Sequence, residues 1–207
     1  MRNISRLYGR GKGKIVTQTS CFDSKRPVQI RRGRSMPHWQ QLGTLTHITT
    51  RLADSLPQNK LAELNAIRNE FCSRYPEPWT RDIDMAYKAI ISDKYERWLD
   101  SGYGACELAD ERAIDIVADT LKFIDGIKYD LYDYIVMPNH IHMIIAPFED
   151  VDLIMQSIKS ISSRKINTAL GRKGALWHRE YFDHLIRSVS EYERTAYYIR
   201  HNADVLK

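Results

Sequence analysis

The segment YIVMPNHIHMIIA, residues 134–146, combines two apolar, β-branched runs with a turn-like Met-Pro-Asn between them. This pattern predicts two strands, over residues 127–137 and 140–146, joined by that turn. His140 and His142 open the second strand two residues apart, so their side chains project from one face of a sheet. Two imidazoles on one rigid strand can chelate a divalent metal, whereas the alternative is a pair of half-buried histidines with hydrogen-bond partners. The spacing alone leaves both interpretations open.

The periodicity on either side of this segment predicts an α+β fold. A β-branched run over 44–52 predicts the first strand, and helical spacing predicts a helical-hairpin insertion at about 57–104. Further helices are predicted over 110–126, after a capping Asp152, and after a capping box at 190–193. This order of elements matches a ferredoxin-like antiparallel sheet with helices on one face, in which the histidine strand is central.

Length and composition are those of a single globular domain with an appendage. The chain has 207 residues, of which 43% are hydrophobic. Its three cysteines include no close pair, which argues against a disulfide framework or a cysteine zinc site and indicates a reducing cytosol. No secretory signal and no bilayer-spanning run is visible, so we expect an intracellular protein.

Basic residues are concentrated near the N-terminus. Residues 1–34 hold ten Lys or Arg against one acid, Asp23, although the net charge of the chain is only +5. We predict a flexible basic arm over residues 1–36, followed by one domain over 37–207. Such an arm attracts polyanions by charge, and the alternative is a disordered solubilising tail.

The last predicted helix carries two adjacent tyrosines beside its buried stripe. Tyr198 has Asn202 one turn later, and Tyr197 has His201 one turn later. Either tyrosine could therefore share its face with a metal ligand. Aromatic packing at the helix edge is the alternative for both, and the spacing does not choose between them.

Together these motifs resemble the HUH-type single-tyrosine transposases, and specifically their REP-associated tyrosine transposase branch. The resemblance extends from about residue 37 to the C-terminus. It is carried by MPNHIH at 137–142, YIRHN at 198–202, RLADSLP at 51–57, WLDSGYGAC at 98–106 and YFDHLIR at 181–187. Two departures are Ala203, where the family has proline, and a chain that stops where relatives often continue.

The resemblance implies an enzyme in which His140, His142 and Asn202 hold a divalent metal while Tyr198 attacks a scissile phosphate. The expected reaction is nicking and joining of single-stranded DNA, on a palindromic hairpin, through a covalent 5′-phosphotyrosine intermediate. The expected cofactor is Mg²⁺ or Mn²⁺. One alternative is a domesticated protein that binds palindromic DNA with little or no turnover. Another is a metal hydrolase without covalent chemistry.

Cationic side chains are the candidates for contact with the DNA backbone. They come from the arm, from the outward face of the helix after Asp152 and from the basic loop that follows it, namely Arg31, Arg32, Arg34, Lys159, Arg164, Lys165, Arg172 and Lys173. Trp177 could stack a base, but core packing is the stronger expectation. We expect a monomer or homodimer in a prokaryotic cytoplasm, associated with the nucleoid and not with a membrane.

Overall fold

The computed structural model describes residues 7–11, 15–32, 37–76 and 79–205. The strands in these ranges are β1 (Tyr8–Arg10), β2 (Gln29–Arg32), β3 (Pro37–Gln40), β4 (Thr46–Arg51), β5 (Tyr129–Val136), β6 (His140–Pro147) and β7 (Phe182–Leu185). The α-helices are α1 (Gln58–Arg74), α2 (Arg81–Asp100), α3 (Glu111–Ile124), α4 (Val151–Leu170) and α5 (Val189–Val205). No helix within the described ranges is long and apolar enough to cross a bilayer.

Five strands form one antiparallel sheet in the order β1-β5-β6-β4-β7. The strand that carries the histidine pair, β6, is therefore central, as the sequence predicts. Its register with β4 places Arg51 opposite His140 and Thr49 opposite His142. β2 and β3 pair with each other in a separate two-stranded sheet.

The two faces of β6 pack against different helices. Ile141, Met143 and Ile145 belong to a large core formed with α3 and α4. Ile144 and Ala146 belong to a second core formed with α5. Because alternate residues of a strand share a face, the histidine pair lies on the side that α5 covers.

The antiparallel α+β class is confirmed, and α5 is the exception to the predicted one-sided placement of helices. All eight residues of β6 are buried, so other elements must pack against both faces of the central strand. Tyr192, Ala196 and Ile199 form the buried stripe of α5 and supply that cover on the histidine face. The predicted helical hairpin is present as α1 and α2, which form a third core that also includes Phe182 of β7.

Two helices begin at caps other than the predicted ones. Asp150 rather than Asp152 caps α4, since its carboxylate accepts a hydrogen bond from the Asp152 N–H at 3.0 Å. Ser188 rather than Ser190 caps α5, and its hydroxyl accepts from the Glu191 N–H at 3.1 Å. In each case an oxygen two residues earlier reaches the free N–H groups of the first turn.

Part of the predicted N-terminal arm packs on the domain. β1 lies within residues 1–36 and pairs with the edge of β5, where Tyr8 stands opposite Ile135. Further along, the Phe22 N–H donates a hydrogen bond to the Ile186 carbonyl at 2.7 Å. The boundary between arm and domain near position 37 stays a prediction.

Candidate metal centre and tyrosine

Two buried histidines face each other on the central strand. Nε2 of His140 lies 3.0 Å from Nε2 of His142, and the rings stand at 89°. Burial lowers the pKa of His140 to about 3, and burial together with His140 lowers the pKa of His142 well below its usual value. Both imidazoles are neutral at pH 7, so each can offer a lone pair to a cation.

Asn139 fixes the orientation and the tautomer of His140. Its amide nitrogen donates to the carbonyls of Leu99 and Tyr103, at 3.1 and 3.0 Å, which identifies the nitrogen and the oxygen of the amide. The amide oxygen lies 2.7 Å from Nδ1 of His140. Because an amide oxygen only accepts, His140 carries its proton on Nδ1 and presents the lone pair of Nε2.

His142 is held from β4. Its Nδ1 lies 2.9 Å from the Thr49 hydroxyl and 3.2 Å from Nε2 of His47. When this Nδ1 donates to either neighbour, the lone pair of the His142 Nε2 faces that of His140 at 3.0 Å. A cation bound by both nitrogens removes the repulsion between the two lone pairs.

Asp100, the last residue of α2, brings a carboxylate to the histidine pair. Its Oδ1 lies 3.8 Å from Nε2 of His140, and ligand atoms of Asp100, His140 and His142 lie within 4.8 Å of one another. Among the described His, Cys, Asp and Glu residues, this group could hold a metal ion. Two imidazole nitrogens and a carboxylate oxygen are a donor set that first-row divalent metals accept.

Tyr198 of α5 lies beside this group. Its ring packs edge-on against His142, with centroids 5.4 Å apart, and its hydroxyl donates to Oδ2 of Asp100 at 3.4 Å. Burial raises the pKa of the Tyr198 phenol. The polar side-chain amide of Asn202 lowers this pKa, and the negative charge of Asp100 raises it. The net shift is upward, so Tyr198 is a protonated phenol at neutral pH.

The neighbouring Tyr197 points away from the histidines. Its side chain is 62% exposed, and its ring stacks on His201 at 3.7 Å. Asn202, in contrast, is buried, and its amide nitrogen has no hydrogen-bond partner among the described residues. The structure thus brings Tyr198 together with His140 and His142, while ligation of a metal by Asn202 stays a prediction.

Three of the predicted DNA-contact residues are exposed cations, namely Arg164, Lys165 and Lys173. The first two lie on α4, which packs on the opposite face of the sheet from the histidine pair. Arg34 lies outside the described residues, and Arg32 is described only as backbone of β2.

The remaining predicted cations make contacts within the domain. Lys159 was expected to face outward, but its ammonium donates to the carbonyls of residues 178, 179 and 180 at 2.9, 2.9 and 3.3 Å. Burial lowers the pKa of Lys159 to about 8. Arg172 pairs with Glu107 at 3.1 Å, and Arg31 pairs with Asp152. These contacts compete with any contact to DNA.

Trp177 is a core residue, in agreement with the stronger expectation. Its side chain is buried, and its indole N–H donates to the Ser162 hydroxyl at 2.9 Å. A Trp whose N–H is satisfied inside the core has no face free for a base.

Four residues of this site were not among the predicted ones: Asp100, Asn139, His47 and Thr49. Alternation along β4 places His47 and Thr49 on one face, a signal that could have found them once β4 is paired with β6. Asn139 precedes the histidine pair directly, where a side chain can reach its neighbour. The approach of Asp100 has no comparable signal, because α2 and β6 are brought together only by the fold.

The match to one protein family agrees with this geometry. Residues 102–202 match the family model described as "Transposase IS200 like", a range that contains His140, His142 and Tyr198. No curated protein matches the chain. A solved structure of a REP-associated tyrosine transposase bound to a REP hairpin is 16% identical, with 82% of this chain and 72% of that chain covered and a TM-score of 0.39. Residues 102–202, just under half of the chain, are therefore similar to the IS200-like transposases, as the motifs indicate.

Proposed function

We propose that this chain nicks and joins single-stranded DNA, with Tyr198 as the nucleophile. The observation that carries the proposal is the position of Tyr198, whose ring contacts His142 and whose hydroxyl contacts Asp100. A hydroxyl nucleophile beside a group able to hold a metal is the arrangement that phosphoryl transfer requires. The family match supports a transposase-like action on DNA.

The residues at the site fit a divalent ion, for which we propose Mg²⁺ or Mn²⁺. His140 and His142 would be two of its ligands, since their facing nitrogens are 3.0 Å apart and neutral. Asp100 and Asn202 are the candidates for a third. When bound, the ion supplies Lewis-acid polarisation of a phosphate oxygen and offsets its negative charge.

In the proposed reaction, the phenol oxygen of Tyr198 forms a bond to phosphorus and the bond to the 3′ oxygen breaks. The 3′ oxygen leaves with the electron pair of that bond and takes a proton from water, so the products are a 5′-phosphotyrosine and a free 3′-hydroxyl. In the arrangement in which Asn202 is the third ligand, Asp100 is placed to take the phenol proton, because its Oδ2 already accepts a hydrogen bond from that hydroxyl and burial raises the pKa of its carboxyl. Attack by a 3′-hydroxyl on the phosphotyrosine rejoins a strand, so no nucleotide cofactor is needed.

The proposed substrate is a strand folded into an imperfect palindromic hairpin, which rests on the resemblance to REP-associated tyrosine transposases. Among the predicted contact residues, Arg164, Lys165 and Lys173 are exposed and available for its phosphates. Since Tyr198 lies on the histidines of its own chain, we propose that a monomer suffices for the first cleavage. A protein with this substrate would act in the nucleoid of a prokaryotic cell.

Incubation with palindromic single-stranded oligonucleotides and Mn²⁺ or Mg²⁺ tests the proposal. We expect a covalent protein–DNA band that Tyr198→Phe abolishes, while Tyr197→Phe, a matched change at an exposed site, leaves it intact. The reverse outcome would show that the nucleophile is Tyr197.

The alternatives give different results in the same assay. Cleavage without attached protein would support a metal hydrolase. Binding of hairpin DNA that stays intact across a broad oligonucleotide panel would support a palindrome-binding protein with little or no turnover.

A further inference from the structure

A fully buried carboxylate joins α5 to two strands of the sheet. Asp133 of β5 has no exposed surface and accepts hydrogen bonds from three side chains. Tyr8 of β1 donates its hydroxyl at 2.6 Å, Tyr192 of α5 donates at 2.8 Å, and Arg200 of α5 donates through Nη2 at 3.1 Å. These four residues are here called the Asp133 cluster.

Within the Asp133 cluster, Arg200 contacts Asp133 from the side of α5 opposite to Tyr198. Ile199 is buried beneath the helix, and Tyr198 and Arg200 flank it at about 100° to either side. Arg200 reaches Asp133 on one side, while Tyr198 faces His142 on the other. A roll of the helix about its axis therefore breaks the contact with Asp133 and moves the phenol relative to the histidines.

The cluster also fixes the position of α5 along its axis. Tyr192 and Arg200 lie eight residues apart, about 12 Å along the helix, and converge on the two oxygens of one carboxylate. A slide of the helix in either direction would lengthen one of these hydrogen bonds. Two anchoring points on one acceptor thus specify a single placement of the helix.

Among the other contacts of α5 with the sheet, one is directional: the Glu191 carboxylate, in the first turn of the helix, accepts a hydrogen bond from His184 of β7 at 2.7 Å. Ala196 and Ile199 pack through apolar surface, which is non-directional and tolerates small shifts. A buried ion pair adds little net stability compared with apolar packing, but it can select one arrangement among several. The directional hydrogen bonds of the Asp133 cluster therefore set the roll of α5 beside Tyr198, whereas the Glu191 contact lies in the first turn of the helix.

We propose that Asp133, Arg200 and Tyr8 are positioning residues that hold Tyr198 against the histidines of its own chain. The inference rests on the proposed function, because it gives Tyr198 the role of nucleophile. It also assigns β1 a part in the reaction other than attraction of DNA, since Tyr8 touches both Asp133 and Arg200.

Arg200→Ala is the main test, with Arg194→Ala as the control at an exposed position of the same helix. Hydrogen–deuterium exchange over residues 189–205 should rise about tenfold in Arg200→Ala, while exchange in β6 stays unchanged. At saturating DNA the rate of adduct formation should fall about 10- to 100-fold, because misplacement by about 1 Å costs that much. Affinity for DNA should stay within about twofold, and Arg194→Ala should match the wild type.

Two milder variants separate positioning from loss of the fold. Arg200→Lys keeps the positive charge but loses the bidentate guanidinium. The rate of adduct formation in this variant should lie between those of Arg200→Ala and the wild type. Tyr8→Phe removes the hydroxyl that donates to Asp133 and accepts from Arg200, and it should slow adduct formation several-fold without unfolding the domain.

Unchanged exchange in α5 of Arg200→Ala would overturn the inference, as would an equal loss of adduct in Arg194→Ala. If the wild type forms no adduct at all, the proposed function fails. The exchange measurement then decides the positioning of α5 by itself.

Discussion

Asn139 and His140 are neighbours in sequence whose side chains form a 2.7 Å hydrogen bond between the amide oxygen and Nδ1. The nitrogen of the same amide donates to two carbonyls at the end of α2, those of Leu99 and Tyr103. One side chain thus couples the orientation of a candidate metal ligand to the helix end that carries Asp100. The turn before β6 therefore builds the site as well as joining two strands.

We expect Asn139→Ala to weaken Mn²⁺ binding about 10- to 100-fold, the usual effect of removing a hydrogen-bond partner of a ligating histidine. The physical reason is that His140 loses the acceptor that fixes its Nδ1 proton and its ring orientation. Isothermal titration calorimetry measures the affinity, and Asn65→Ala, at an exposed position of α1, is the control. Wild-type affinity in a folded Asn139→Ala protein would refute a supporting role for this amide.

The two adjacent threonines of β4 offer a matched pair for the second histidine. Thr49 contacts Nδ1 of His142 at 2.9 Å, whereas the Thr50 hydroxyl is buried and has no partner among the described residues. We expect Thr49→Val to weaken Mn²⁺ binding about tenfold. Thr50→Val should leave that affinity unchanged and should not destabilise the fold, since it removes an unsatisfied hydroxyl. Equal effects of the two changes would contradict the assigned role of Thr49.

Asp100 and Asn202 compete for the role of third metal ligand. The carboxylate of Asp100 is within reach of the histidine nitrogens, and a negatively charged oxygen is the better ligand for a hard cation. We therefore expect Asp100→Asn to weaken Mn²⁺ binding more than Asn202→Ala does, with Asp82→Asn near the start of α2 as the control. A larger loss in Asn202→Ala would make Asn202 the ligand and leave Asp100 as the proton acceptor.

Exposed cations on and after α4 should contribute to DNA binding through counterion release. Replacing Arg164 or Lys173 by Ala should reduce the slope of log affinity against log salt by about 1 each, if each contacts one phosphate. Arg74→Ala, at an exposed position at the end of α1, is the control. Fluorescence anisotropy with a hairpin oligonucleotide over a range of salt concentrations measures the slope. A slope unchanged in both variants would place the DNA elsewhere on the surface.

Apolar, β-branched runs in the sequence were sufficient to predict β4, β5 and β6 and the shared face of the histidine pair, but not β1, β2 or β3. β6 reads as an uninterrupted apolar strand, and side chains two residues apart must lie on one side of it. Spacing alone could not decide whether Tyr197 or Tyr198 faces the histidines, because both flank the same buried stripe. It follows from the placement of α5 on the histidine face, which depends on tertiary packing.

Lys159 shows a different limit of helical periodicity. Its position on α4 marks it as outward-facing when the helix is considered alone. In the structure, the chain after Trp177 returns across that helix and presents the carbonyls of residues 178–180 to the ammonium. A periodic pattern cannot show which later segment will cover a surface, so this contact could not be predicted.

A buried ion pair between Asp183 of β7 and Lys88 of α2 gives a prediction about stability and pH. The carboxyl of Asp183 is 3.5 Å from the Lys88 ammonium and 2.9 Å from Nδ1 of His38. Burial raises the pKa of Asp183, but the attraction of Lys88 and the hydrogen bond with His38 outweigh it, so the pKa lies below its usual value. A carboxyl whose pKa is depressed in the folded state stabilises that state above the unfolded pKa of about 3.9. This contribution is lost as the pH falls through the folded pKa.

We expect Lys88→Gln to lower the free energy of unfolding at pH 7 by about 3 kcal/mol, because it leaves a buried carboxylate without its cation. The pKa of Asp183 rises in the variant, so its carboxyl takes up a proton at a higher pH than in the wild type. The difference in stability between the two proteins should therefore shrink as the pH falls from about 5 towards 3. Urea denaturation at several pH values measures this, with the exposed Lys122→Gln as the control. A difference that stays constant with pH would mean that Lys88 acts through packing and not through the charge of Asp183.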